Sequence, residues 1–285
     1  MKKILKLLIS FRHAKALQIF GSNKRPFVVH EVIDRGGEAV KCAEYTGIGR
    51  YTNFNYGPVV SEAVRGHLSW HKLQSLKEGY AYGNHADNDV LNFIDNHDNQ
   101  RGGDVLNYKD GDAYKKAVAF MLAWSYGYPR VMSSYYFDNN DQGPPREGSY
   151  NVNYYSSAAM WNKGNPPLLQ TKSPSFNQDL TCNPSSGWVC EHRWPITREM
   201  AKFRSIVSGT PASKIMTGYK QLAFDRGGRG FFAINDYEQP WRRYFFTALP
   251  SGQYCDVWSG SLKDGRCTGR TINVNNGNQK LVLTC

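Results

Sequence analysis

Two apolar segments that each stop in a dense polar cluster constrain this chain more than any other feature. Val90, Leu91, Phe93 and Ile94 lead into Asp95-Asn96-His97-Asp98-Asn99-Gln100-Arg101, seven residues with two carboxylates, an imidazole, three side-chain amides and a guanidinium. An apolar strand that ends this way is how a rigid scaffold presents chemistry at its rim. The same residues also suit a turn that satisfies its own backbone, because Asn and Asp side chains bond nearby N–H groups. The second segment runs from Pro26 to Glu38. Phe27 to Ile33 is β-branched and aromatic enough for a buried strand, and Gly36-Gly37 closes it.

Glu31 lies inside that apolar run, where a carboxylate is paired, neutral or catalytic. Desolvation disfavours the ionised form, which suits a general acid near neutral pH. A structural Glu bonded to a neighbouring strand is the alternative. Glu31 and Asp98 are 67 residues apart. That is two units at the roughly 31 residues per β/α unit of an eight-fold barrel. Paired acids at strand ends suit glycoside cleavage, which places two carboxyl groups across a sugar bond.

The rest of the chain fits this frame. Strands are predicted at 27–33, 50–55, 90–95 and 130–136, with helical patterns at 59–67, 70–78, 112–126 and 195–207. In 112–126, Ala113, Ala117, Phe120, Met121 and Trp124 form one apolar face, and in 195–207 Met200, Phe203 and Ile206 point inward. This β/α alternation predicts a parallel sheet. Residues 137–180 form a long Asn-, Gly-, Pro- and Ser-rich excursion. After Ser208-Gly209-Thr210-Pro211 the pattern changes to short segments, 221–225, 230–234 and 243–247, divided by turns. The expected organisation is α/β over residues 1–209 and a small antiparallel β domain over 210–285.

With 285 residues, the chain can bury one large core or two smaller ones. The formal net charge of +11 invites a nucleic-acid partner. Its distribution argues against one: residues 1–25 carry seven basic residues and no acidic one, leaving 28 basic against 24 acidic elsewhere. No nucleic-acid-binding signature is present. Ile4, Leu5, Leu8 and Phe11 fall at helical spacing, so a surface helix is favoured over a transit peptide, and Lys6 interrupts any secretory h-region. No run reaches the length of a membrane span. Cys182 with Cys190 and Cys255 with Cys267 read as short disulfide loops, not a zinc site, while Cys42 and Cys285 have no obvious partners.

Several motifs carry a resemblance to a known family. PFVVHEVIDRGGE (26–38), FIDNHDNQRGG (93–103), FMLAWSYGYPRVMSS (120–134), GWVCEHRW (187–194) and YCDVWSG (254–260) occur in the order in which similar segments occur in animal-type α-amylases. These are (β/α)8 glycoside hydrolases. The resemblance implies strands five to eight of the barrel, followed by a Greek-key β domain. It implies Glu31 as general acid/base, Asp98 as a second acid that binds sugar hydroxyls and stabilises the transition state, and His97 and Glu38 as substrate contacts. Asn96 and Arg130 match two of three ligands of the family's chloride site. A fixed anion near Glu31 disfavours its ionisation. An ion pair with a carboxylate at the barrel mouth is the alternative for Arg130. The two cysteine pairs fall where the family places disulfides.

The resemblance further implies an α-glucan substrate, secretion and a monomer when complete. Family members also bind calcium, with ligands upstream of this chain and no metal site within it. A retaining glycosidase needs a carboxylate nucleophile, which the family carries on its fourth strand, and no Asp or Glu precedes Glu31 here. The chain is therefore expected to be the C-terminal part of an α-amylase, truncated also at its own C-terminus and inactive alone. A non-catalytic glucan-binding relative is the alternative. His30 replaces the usual amide-bearing residue, and the segment Gly102-Gly103-Asp104-Val105 is short.

Overall fold

The computed structural model describes residues 27–80, 84–146 and 171–275, and the backbone of 278–283. The N-terminal helix expected over residues 1–25, much of the 137–180 excursion and Cys285 lie outside the described residues.

Four short strands, β1 (Val29–His30), β2 (Arg50–Thr52), β3 (Val90–Asn92) and β4 (Tyr128–Pro129), form one sheet in that order. Every pairing is parallel, with Val29 opposite Arg50, Tyr51 opposite Val90 and Leu91 opposite Tyr128. The helices expected between them form as α1 (Tyr56–Arg65) and α2 (Asp112–Ala123), and α3 (Pro195–Ile206) follows the excursion. Gly57 sits at the start of α1 because a Cβ there would lie 2.1 Å from the Ile94 carbonyl oxygen. α1 ends on Gly66 in the left-handed conformation that glycine adopts without a steric cost. α2 is buried nearly all round, from Tyr114 and Ala117 through Ala123. α3 begins with Pro195 at the position where a missing N–H costs nothing.

Three expectations are corrected. The ladder takes Tyr128–Pro129 rather than 130–136: Arg130 donates its N–H to the Asn92 carbonyl at 2.8 Å and the chain then leaves the sheet. Beyond it, Ser134 and Tyr136 bond to Val189 and Gly187, so this stretch pairs with the segment before α3 instead. The 70–78 helix is a single 3-10 segment, Trp70–Ser75, capped by the Ser69 hydroxyl. Ile206 is 59% exposed, because Met200, Phe203 and Val207 form the inward stripe and Ile206 lies about 100° off it.

The remaining strands are antiparallel. β5 (Ala212–Gly218), β6 (Gln221–Arg226) and β7 (Phe231–Asn235) form a meander. β8 (Trp241–Phe246) and β9 (Gly252–Cys255) pair with strands from later in the chain. β10 (Leu262–Lys263) pairs with β11 (Arg266–Cys267), β12 (Thr271–Val274) with β9, and β13 (Asn278–Leu283) with β8. This unit shares its core with the α/β part: Phe232 meets Phe120, and Phe224 packs edge-on against Trp124 with centroids 5.1 Å apart. Cys182–Cys190 and Cys255–Cys267 are disulfide-bonded, and Cys42 is a buried free thiol.

Among the described residues β1 and β4 each pair on one side only, and Phe27 and Tyr128 beside them are 62% and 48% exposed. Unpaired parallel edges with exposed aromatics invite intermolecular pairing. At high concentration the 285-residue chain is therefore expected to self-associate, while dilute samples stay folded and monomeric. Light scattering that shows no growth in particle size as concentration rises would contradict this.

Candidate functional site

The C-terminal ends of the four parallel strands converge on an open cleft of about 370 Å³, lined by Val29, Glu31, Thr52, Asn96, His97, Arg130, Val131 and Met132. Glu31 follows β1, Asn96 and His97 follow β3, and Arg130 follows β4. Four of the predicted site residues thus meet at one end of one sheet. Asp98 does not line the cleft but stands beside it, with its Oδ1 3.4 Å from His97 Nε2 and both side chains largely exposed. Glu38 does not line it either. Its carboxylate accepts the Arg35 N–H at 2.6 Å, which closes the loop after β1 and lowers its pKa.

The structure corrects the expected burial of Glu31. β1 is an edge strand two residues long, and Glu31 emerges from its end exposed rather than enclosed. Arg130 faces the same cleft, and the Glu31 carboxylate stabilises its charge while partial desolvation pulls the guanidinium below its ordinary value. No carboxylate among the described residues comes into salt-bridge contact with Arg130, whose guanidinium instead lies 5.4 Å over the Phe93 ring.

The 95–101 cluster forms the turn that satisfies its own backbone. Asn96 is buried, and its Oδ1 accepts the N–H groups of Asp98 at 3.0 Å and Asn99 at 2.8 Å, while Asn99 Oδ1 accepts the Asn96 N–H at 2.7 Å. The amides therefore build the turn that presents His97 and Asp98. Beneath it, Asp95 is 2% exposed and accepts the Tyr114 hydroxyl at 2.6 Å, with Oδ2 unpartnered. Burial pushes its carboxyl up to about 8, and nearby Glu191 adds to the effect. Glu191 is itself fully buried, raised by desolvation, and held by the Ser134 backbone N–H at 2.6 Å and the Ser134 hydroxyl.

Thr52 escaped sequence reasoning. Its hydroxyl accepts the Val32 N–H at 3.1 Å and donates to the His30 carbonyl at 3.4 Å. Those two bonds pin the backbone on either side of Glu31. A lone Thr in a strand gives no signal of this; only the β1–β2 register does. His30 is buried against Tyr45, and desolvation lowers its pKa. The Cys42 thiol below the same loop is pushed up to about 12 by burial, which makes it a poor nucleophile. Among the described residues no group of three or more His, Cys, Asp or Glu could hold a metal ion, and no helix is long and apolar enough to cross a membrane.

Comparison with known proteins adds to this geometry. The family described as "Alpha amylase, C-terminal all-beta domain" matches residues 215–285. An α-amylase of Pecten maximus is 42% identical over 279 residues, 95% of this chain and 50% of that protein. An α-amylase-related protein of Drosophila lini is 41% identical over 90% of this chain and 48% of its own length. α-Amylase I of Eisenia fetida superimposes with a TM-score of 0.77 at 33% identity, covering 94% of this chain and 53% of that one. A mutant of the same enzyme, solved in complex with maltohexaose, gives 0.78. A bacterial γ-CGTase, at 18% identity and a TM-score of 0.53, shares the fold. The chain spans about half the length of the relatives it matches. In sequence and in structure alike, the chain is similar to the animal α-amylases over about half of their length, including their C-terminal all-beta domain.

Proposed function

We propose that the cleft at the ends of β1–β4 is the acid/base side of an α-1,4-glucan-cleaving site, in which an α-amylase hydrolyses internal bonds with retention. The observation that carries this reading is the convergence of Glu31, Asn96, His97 and Arg130 from three separate strand ends on one cleft. In this reading β1 to β4 are strands five to eight of a (β/α)8 barrel, and residues 210–285 are its Greek-key domain. The protein acts outside the cell, in keeping with its two disulfides.

Glu31 protonates the leaving glycosidic oxygen, which its exposed position on the cleft wall allows. Asp98 and His97, held by the Asn96 turn, bind hydroxyls of the sugar at the scissile bond. Arg130 and the Asn96 amide are the donors for a chloride ion. Both face the cleft that Glu31 lines, and among the described residues Arg130 has no carboxylate in direct contact, so the donor set fits an anion. A bound anion there offsets the Arg130 charge and favours the protonated Glu31 that acid catalysis needs.

Among the described residues, the cleft is lined by one carboxylate, Glu31. The covalent route needs a second, about 5–5.5 Å from the acid. The 285-residue chain is therefore expected to bind maltohexaose without releasing reducing sugar. Calorimetric titration should show binding that weakens in Glu31→Gln and His97→Ala, and a reducing-sugar assay should stay at background. No saturable binding by the wild type would sink the glucan reading. Clear turnover would sink the expected inactivity.

A further inference from the structure

Arg101 ends the polar cluster that opens the sequence, and the acid/base scheme gives it no task. Among the described residues its hydrogen-bond acceptors are carbonyls and one hydroxyl, drawn from two separate segments. Nε donates to the His97 carbonyl at 3.2 Å. Nη1 donates to the carbonyls of Asn139 at 3.3 Å and Asn140 at 2.6 Å. Nη2 donates to the Tyr135 hydroxyl at 2.6 Å and the Gln142 carbonyl at 3.2 Å. These bonds use all five N–H donors that a guanidinium has. The guanidinium carbon also lies 4.3 Å from the centre of the Phe137 ring, and the Lys109 ammonium lies 3.7 Å from the same centre.

The loop is shaped around this group. Tyr135 passes a bond on, donating its own proton to the Gln142 carbonyl at 2.9 Å. The Gln142 side chain closes the loop, accepting the Asp138 N–H at 2.8 Å and donating to the Tyr136 carbonyl at 3.0 Å. Three carbonyls thus point at one place and repel each other unless a cation with forked donors fills it. The fourth carbonyl belongs to His97, the residue between Asn96 and Asp98. We propose that Arg101 is a positioning residue that locks the His97–Asp98 turn and the 135–142 loop into one rigid rim of the glucan cleft. The glucan part of this inference rests on the reading of the cleft given above; the lock itself rests on the bonds alone. Lysine cannot substitute, because a single ammonium has three donors and no planar fork.

Amide hydrogen exchange on the full chain tests the lock, and maltohexaose titration tests its consequence. In Arg101→Lys and Arg101→Ala, amides that close the two segments, such as Gln100 and Gln142, should lose protection together by ~10-fold or more while α2 keeps its own. Maltohexaose affinity should fall ~10-fold, as a mispositioned binding group predicts. Guanidinium at a sub-denaturing concentration should restore both properties to Arg101→Ala, and methylammonium should not. Tyr135→Phe touches only the far side of the clamp, and it too should loosen the 97–101 amides if the bonds act as a unit. Loosening of 135–142 alone, or equal rescue by both cations, would overturn the proposal. Should the wild type bind no maltohexaose, the functional reading fails, and coupled or uncoupled exchange still decides the lock.

Discussion

Asp95→Asn is expected to stabilise the protein at pH 8 and to leave it little changed at pH 4. The Asp95 carboxyl is raised from 3.8 to about 8, chiefly by desolvation under the 96–101 turn. The sign follows from proton counting. Below pH ~4 the group is protonated in both folded and unfolded chains and contributes nothing. Between ~4 and ~8 the unfolded chain releases the proton and the folded chain keeps it, so stability falls as pH rises through that window. Above ~8 the loss is complete. At ~1.4 kcal/mol for each pH step of the window, it is on the order of 5 kcal/mol in all. Asparagine retains an oxygen for the Tyr114 hydroxyl and has no charge to bury. Glu191, raised by burial, and His30, lowered by it, also titrate with folding, but both are present in wild type and variant and cancel in the difference. Thermal melts of the pair from pH 4 to 8.5 should therefore diverge steadily. Parallel curves would mean that Asp95 ionises in the fold with a partner that the structure does not show.

Asp95 also illustrates what the sequence could and could not convey. Its residue type and its place after an apolar run were legible, and they marked the end of a strand. Its burial was not, because Tyr114 and Glu191 reach it from α2 and from the segment before α3. Contacts across such separations leave no local pattern. The parallel order of β1 to β4 was readable from the alternation of apolar strand runs with helical patterns. The ends of those runs were not: Arg130 to Tyr136 looks extended, and it is, but its partners are residues 187–189 rather than β3. Glu31 shows the converse failure. An apolar run announces a strand, and periodicity cannot say that the strand is an edge whose last carboxylate faces solvent. The cleft residues were found because several motifs recur together in a known family. Thr52 and Arg101 escaped assignment because their roles come from register and loop closure.

The largest loss of stability is expected from Arg226→Met, at the seam between the α/β part and the β unit. Arg226 ends β6, is 1% exposed and has no carboxylate among its hydrogen-bond partners. Its guanidinium donates to the Ala123 carbonyl at the end of α2, to Val207 at 3.2 Å just after α3, and to Thr210 at 2.8 and 3.1 Å. Helix C-termini expose carbonyls that need donors, and their partial negative charge favours a cation. Burial nonetheless exacts a cost, pulling the Arg226 guanidinium down to about 10, with Arg204 adding repulsion. Methionine removes that cost but takes the donor from the buried Ala123 carbonyl and from the half-buried Thr210 carbonyl, while the Val207 carbonyl keeps the Thr210 N–H and hydroxyl. A buried carbonyl left without a donor costs roughly 1–3 kcal/mol, which outweighs the relieved desolvation and gives a net loss of about 1–3 kcal/mol. Lys116→Met breaks the Lys116–Asp236 pair across the same seam, where both side chains keep some exposure, and should cost less than ~1 kcal/mol. Urea titrations of both variants should show the Arg226 midpoint falling well below that of Lys116, with slopes unchanged. If the order reverses, the surface pair holds the seam and the buried guanidinium is merely tolerated.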